Sequence, residues 1–456
     1  MSLPRSSRFV VLGGGVHGLS TAYHLALALE GNRSGSGSDV IVLEKSQIGA
    51  GASGIACGVV RNFYFSAPMT EVIRVSVELF ESDPEGFGYH PVGYIAAVPE
   101  VQAEDCVAIQ RRQSEIGYRS EVVLGEERCR EHMRAIFPDW NGDGIEAVLH
   151  EHQGGWAETG KTIENLARLA RERGVQIHEG VEVVGLDLHD GEVQSVETTD
   201  GSIETELFVA GPGPWGRGVW EMLELPDVVR VAAKEHATSP VGSSPRVEAD
   251  GNGHEERPIV TYWKLQEGDY WLDSGTDLRD AGGIEPPVVH IDHQVPLVSD
   301  RNGEVIDDGP WGIYYKIGRR GFGVQGGGVP IRLGTEVELE PYGRPEHKVG
   351  DAFTDYFTAG LAWAHERFRG QAGKWHADPH GGIGAFTPDN YPIVDFVRAN
   401  AYVVMDSNHG FKMIGLGKLV ADDIVNGRES RLEPFRFSRY ETGALHAVSN
   451  SPYPWN

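Results

Sequence analysis

Three glycines near the N-terminus, Gly13, Gly15 and Gly18 in GGGVHGLSTAYHLALAL, have the G-x-G-x-x-G spacing of a pyrophosphate-binding turn. The first permits the turn, the second lets the main chain approach phosphate, and the third lets helix and strand pack closely. Val16 and His17 belong to the same turn, where the N–H groups of a helix N-terminus face the phosphates and His17 serves as a spacer rather than an acid or base. Glu44 ends the segment DVIVLEK and offers a carboxylate to the hydroxyls of an adenosine ribose, which favours FAD or NAD over NADP. Near the other end of the chain, SNHGFKMIGLGK sets Lys412 at the start of a predicted helix, where a positive charge is locally unfavourable. Arg61, in GVVRNFY, is a second basic residue in a segment otherwise rich in small and aromatic residues.

The elements that would position these groups can be read from the pattern. RFVVL, Arg8 to Leu12, is a short apolar run expected as a buried parallel strand, and the glycine turn carries it into a helix. DVIVLEK is the second strand. Gly18 and Glu44 lie further apart than the usual roughly 20 residues, and the Gly/Ser-rich loop EGNRSGSGS accounts for the excess. Beyond it, KSQIGAGASGIACGVVRNFY is loaded with small residues, as suits a chain passing over an extended cofactor, with Lys45, Ala52, Ser53 and Gly58 on that path. MTEVIRVSVELFE and VQAEDCVAIQRRQSEIGY have helical spacing, and GYIAAV reads as a strand. Thr159 to Arg173 is an amphipathic helix followed by strands joined at a DG turn. From Val228 to Gly370 the chain turns to Trp, Tyr, Pro and Gly in short alternating runs, as expected for an antiparallel sheet, with SSPRVEADGNGHEERP and SDRNGEVIDDGP as surface loops. AYVVM and Lys412 to Asn426 are a last strand and helix.

Composition narrows the partners. The 456 residues carry 40 Lys plus Arg against 67 Asp plus Glu, a net charge of −27 that repels phosphate-rich polymers and argues against nucleic acid. Cys57, Cys106 and Cys129 form no CxxC pair, which argues against a disulfide framework or zinc knuckle. A reducing, cytoplasmic location without membrane attachment is expected, since no apolar run approaches spanning length. HADPH, with His376, Asp378 and His380, has metal-like residue types but no second ligand cluster, so no metal is expected.

Taken in order, VVLGGGVHGLSTAYHLA, VIVLEK, GASGIACGVVRNFY, FVAGPGPWG, GIYYKIG, TPDNYPIVDF and NHGFKMIGLGKLVADDI resemble the glycine/D-amino-acid oxidase superfamily of flavoproteins, in particular its sarcosine oxidase-like branch. The resemblance implies an α/β fold with a Rossmann-like, GR2-type FAD-binding domain and an antiparallel-sheet substrate domain, both discontinuous. The expected boundaries are 1–90, 150–227 and 371–430 for the first, 91–149 and 228–370 for the second, and 431–456 as a C-terminal tail. It implies that Arg61 and Lys412 bind a substrate carboxylate, and that Gly410 and Phe411 direct backbone N–H groups at the flavin. It places Gly213 and Trp215 over the pyrophosphate side, Val183 against the adenine, and Tyr315 in the substrate cavity. Ordinary core roles remain open for Val183 and Tyr315, a salt bridge for Arg61, and loop-shaping for His409, the alternative to contact with flavin or substrate.

The reaction implied is oxidation of a secondary or tertiary amino acid of the N-methyl or cyclic type, with oxygen or another electron acceptor downstream. Departures from the family pattern matter too. Gln325 stands where such oxidases have a lysine that assists reaction with oxygen, and Lys316 is a possible substitute cation. GGIGAFTPD lacks the flavin-tethering cysteine and Gly49 to Tyr64 lacks a histidine, so noncovalent FAD is expected. A tailoring oxidase of the same fold acting on another bond, or a flavin-binding subunit of a multi-subunit dehydrogenase, is the alternative, and oligomer formation stays open.

Overall fold

Buried β-branched runs, too apolar to face water on either side, make the first sheet. A computed structural model describes residues 3–232, 254–280, 282–427, 429–447 and 449. Five parallel strands run in the order Gln176–Glu179, Val40–Glu44, Ser6–Leu12, Gly201–Ala210, Ala401–Met405, with Val11 opposite Val42 and Val209. The inner four carry buried apolar residues, as expected of a sheet covered on both sides, whereas the edge strand Gln176–Glu179 buries only His178. Val183–His189 and Glu192–Thr198 add an antiparallel ribbon to the first half of Gly201–Ala210, joined through Asp190 and Gly191, both at positive φ. Helices Val16–Gly31, Thr159–Glu172 and Leu416–Asn426 pack together over this sheet.

The second sheet has eight strands: His376–Phe386, Thr261–Trp271, Val324–Gly334, Trp311–Ile317, Val288–His293, Tyr94–Val98, Ala147–Glu151, Ser120–Leu124. It is mixed rather than purely antiparallel, because Val288–His293 pairs in parallel with Tyr94–Val98. Alternation along Trp311–Ile317 sorts its two faces. Trp311, Ile313, Tyr315 and Ile317 join the core packed with Phe353 and Phe357 of helix Asp351–Ala364, whereas Tyr314 faces a large cavity.

Several expectations shift. His376–Phe386, read as part of the return to the nucleotide side, is the edge strand of the second sheet. His254–Pro258, read as loop, pairs with Val228–Ala232; the rest of SSPRVEADGNGHEERP, 243–253, lies outside the described residues. Much of the expected tail is built into the fold: Arg436 ion-pairs with Asp423 at 2.6 Å and Arg439 with Asp389 at 2.8 Å, all four buried. The end of the tail, 450–456, and residue 448 lie outside the described residues. Among the described residues, no helix is long and apolar enough to cross a membrane.

Candidate active site

A single cavity of about 1200 Å³ runs from the glycine turn to Arg61 and Lys412. At the nucleotide end, Gly13 sits at φ +104, and a Cβ there would lie 2.4 Å from the carbonyl oxygen of Gly211. Gly18 does not line the cavity; a Cβ on it would come within 1.9 Å of the Gly13 carbonyl oxygen, so it serves close packing behind the turn. Gly15 gives the first helix no side-chain cap and the first turn has no acid, which suits an anion there. Val16 donates its N–H to Ser53 Oγ at 3.1 Å, and Glu44 Oε2 accepts from Gly14 N–H at 2.8 Å, fixing the carboxylate at the wall. Ala52, Gly58, Val183 and Gly213 line the same end. Lys45 pairs with Glu340 and lies 3.8 Å from the centre of the Trp215 ring, and Trp215 donates to Glu340 at 2.8 Å.

At the other end, the three-stranded sheet Val59–Val60, Gly155–Ala157, Tyr89–His90 delivers Arg61 directly after its first strand. Arg61 is buried and donates to the Phe63 carbonyl at 3.2 Å and, at a long 3.4 Å, to the Tyr94 hydroxyl, with Tyr64 at 5.1 Å from its guanidinium. Burial opposes its charge, but Tyr94, Tyr64 and Glu151 outweigh that effect and hold it protonated. Tyr94 meets His290 Nδ1 at 2.7 Å and His290 Nε2 meets Asp292 at 2.8 Å. With Nε2–H donated to the aspartate, Nδ1 accepts from Tyr94, leaving the Tyr94 oxygen free to accept from Arg61.

Lys412 reaches the same cavity from a distant part of the chain. Asp406, just after strand Ala401–Met405, accepts from Asn408 N–H at 3.0 Å and Gly410 N–H at 2.9 Å and meets His17 Nε2 at 2.8 Å. Although burial disfavours its charge, His17 and the Gly410 N–H hold the Asp406 carboxyl well below the ordinary carboxylate range. The result is a short 3₁₀ turn, Gly410–Met413, and the α-helix proper begins only at Leu416. Lys412 therefore stands on a turn capped by Asp406 rather than at the mouth of that helix. Gly410 and Phe411 line the cavity, but the Gly410 N–H is used within the loop and does not address a flavin. His17 is likewise more than a spacer: its Nε2 anchors Asp406, while its buried Nδ1 has no partner.

His409 Nδ1 contacts the Asp406 carbonyl, so it shapes the loop while also lining the cavity. Burial and Lys412 push it down to about 4, leaving it neutral near pH 7. Burial, followed by Arg61, lowers Lys412 to about 8. Among the described residues, neither Arg61 nor Lys412 is hydrogen-bonded or ion-paired to a carboxylate. Glu267, in the same wall, is engaged by the Tyr314 hydroxyl.

Tyr315 is not in the cavity: it is fully buried in the opposite core and its hydroxyl bonds His365 at 2.8 Å. Its neighbour Tyr314 occupies the wall, a one-residue phase difference along a strand. Gln325 and Lys316 are cross-strand neighbours, and neither lines the cavity. Gln325 is buried with both amide atoms unpartnered, and Lys316 donates to the Ile317 carbonyl and sits 3.8 Å over the Trp156 ring. Sequence reasoning missed Tyr64, Tyr94, His290, Glu267 and Asp406; Tyr64 stood in the RNFY motif and Asp406 at a strand end, but the others signal nothing locally.

The sign of the Lys412 shift sets a pH dependence. Below about pH 8 its charge adds to that of Arg61, and as pH rises through that value the charge is lost. The affinity of a carboxylate ligand that carries no amine should hold below pH 8, then weaken by about 10- to 100-fold in total as the charge-assisted contact disappears. Fluorescence or absorbance titration across pH 6–10 measures it, and Lys412→Met should flatten the profile.

A glycine turn and an acid at the wall of one long cavity, set on a parallel sheet and closed by a second sheet, have the form of a dinucleotide-binding fold. Residues 8–252 match the family described as FAD dependent oxidoreductase, and the chain belongs to that family; its cofactor is FAD. It is 30% identical over 220 residues to mitochondrial dimethylglycine dehydrogenase of Rattus norvegicus, a match spanning 47% of this chain and 24% of that protein. To sarcosine oxidase subunit beta of Rhizobium meliloti (strain 1021) it is 28% identical over 209 residues, 45% of this chain and 49% of the other. The matched region thus spans between a quarter and half of these relatives. Among solved structures, L-proline dehydrogenase from P. horikoshii superposes with a TM-score of 0.72 at 20% identity, covering 97% of this chain and 100% of that one, which shows a shared fold.

The residues present fit FAD. The glycine cradle that a Cβ would fill, the unpartnered His17 Nδ1 at its wall and the length of the cavity all suit an extended dinucleotide. Gly15, at the open start of the first helix, would face the pyrophosphate and Glu44 the ribose, whereas the Gly13 and Val16 N–H groups are taken by the Leu43 carbonyl and Ser53 Oγ.

Proposed function

We propose that this protein oxidises a secondary or tertiary amino acid of the N-methyl or cyclic type, binding its carboxylate between Arg61 and Lys412. One observation carries the proposal: two buried cations from distant parts of the chain face one cavity and, among the described residues, no carboxylate is bonded to either. An isolated buried charge is costly, and a substrate carboxylate is the anion that completes the pair. The relatives named for sarcosine and dimethylglycine support this substrate class.

When bound, FAD supplies a two-electron acceptor for the hydride leaving the carbon beside nitrogen. Arg61 presents a fork suited to a carboxylate, and its orientation is maintained by the Phe63 carbonyl and Tyr94. Lys412 adds a second charge in the same cavity. Neutral His409, together with Tyr64, whose hydroxyl is pushed up to about 12 by burial, puts no further ionic charge beside the amine. The imine product, released to water, hydrolyses to a carbonyl compound and an amine. FAD is held without a covalent bond.

Anaerobic mixing of the yellow protein with a panel of N-methyl and cyclic amino acids is the test. Bleaching near 450 nm by at least one carboxylated secondary or tertiary amine is expected. Failure of all of them would refute the proposal.

A further inference from the structure

The outer edge of the second sheet gathers three histidines and a glutamate. Glu121, on edge strand Ser120–Leu124, is registered opposite His150 of Ala147–Glu151. His152 follows two residues later, its N–H still bonded to the Arg119 carbonyl at 2.9 Å, and so is expected on the same face. Helix Glu126–Ile136 packs against this edge through Cys129 and Met133 and brings His132 to it.

His132 Nε2 lies 3.1 Å from His150 Nδ1, His150 Nδ1 lies 3.9 Å from Glu121 Oε1, and His152 Nε2 lies 3.2 Å from the same oxygen. Donor atoms of Glu121, His132 and His150 all fall within 4.8 Å of one another. A tetrahedral ion with bonds of about 2.0–2.1 Å separates its donors by about 3.3 Å, so the His132–His150 gap of 3.1 Å already matches and the Glu121 carboxylate, 3.9 Å from His150, has to move inward on binding. We propose that Glu121, His132 and His150 form a three-ligand binding site for a divalent transition-metal ion, zinc by its donor set, with His152 beside Glu121 rather than among the ligands.

Imidazole-rich sets favour zinc, copper or nickel, whereas calcium and magnesium take oxygen ligands. HADPH, the sequence's own metal-like segment, is otherwise committed: His376 bonds Asp273 at 2.8 Å and His380 bonds Asp269 at 2.9 Å. The ion ties a helix to an exposed sheet edge. It also braces the strand whose next residue, Glu151, accepts the Asn62 N–H at 2.8 Å directly behind Arg61.

The test uses the flavin-containing protein after dialysis against a chelator. Titration with Zn²⁺ should show one saturable equivalent, and Co²⁺ should give the intense visible bands of a tetrahedral site rather than weak octahedral ones. The double variant His132→Gln, His150→Gln should lose affinity by about 100-fold or more, while His376→Gln should not. Absence of saturable uptake, an octahedral Co²⁺ spectrum, or undiminished affinity in the double variant would overturn the proposal. The Co²⁺ spectrum of the unmodified protein requires no variant to fold.

Discussion

Arg61→Ala lowers kcat/KM for a carboxylated amine by about 100- to 1,000-fold, the cost of removing one partner of a buried charge-assisted contact. The mechanism is specific. Alanine leaves Lys412 as the only cation of the pair, removes the donor seated on the Phe63 carbonyl and Tyr94, and leaves the nucleotide end of the cavity untouched. FAD content and Tm should therefore stay close to those of the parent. Arg61→Lys should recover only part of the loss, because an ammonium cannot reproduce the planar two-donor fork. Steady-state kinetics with a carboxylated amine checks both variants, and an unchanged kcat/KM in Arg61→Ala would remove this residue from substrate binding.

Gly13→Ala acts at the other end and should yield a protein that holds less than about a tenth of the parent's flavin. The new methyl group would sit 2.4 Å from the Gly211 carbonyl oxygen, on a backbone at φ +104 that side chains rarely adopt. Relief requires the turn to move, and the turn leads into the helix N-terminus that would face the pyrophosphate. Gly410→Ala is the informative contrast: φ is +51, within reach of the left-handed region, and nothing lies within 4 Å of a Cβ there. It should keep its flavin. The ratio of absorbance near 450 nm to that at 280 nm distinguishes the outcomes.

What could be read from sequence follows the range of the interactions involved. The glycine turn and Glu44 were legible because strand, turn and helix follow one another directly and each glycine answers a local steric demand. Arg61 and Lys412 were singled out by resemblance and by their awkward charge, and the cavity holds both. Tyr315 was the wrong tyrosine because YY gives a strand two adjacent aromatics, and only the packing of Phe353 and Phe357 decides which faces the core. The Gly410 N–H was misassigned because its acceptor, Asp406, is fixed by His17 from the opposite end of the chain. Mixed pairing in the second sheet and the place of His376–Phe386 depend on contacts between distant segments, which no local pattern encodes. The histidine cluster was invisible for the same reason: Glu121, His132 and His150 share no motif spacing until two strands and a helix meet.

The central claim is that the cavity recognises a carboxylate, and one comparison tests it most directly. Flavin reduction is followed anaerobically in a stopped-flow instrument for an N-methyl or cyclic amino acid that bleaches the protein and for its carboxamide, which keeps the amine and the reacting carbon but not the charge. The carboxylate form should reduce the flavin at least about 100 times more efficiently, and Arg61→Ala should erase most of that preference. Equal efficiencies for acid and amide in the unmodified protein would contradict the account.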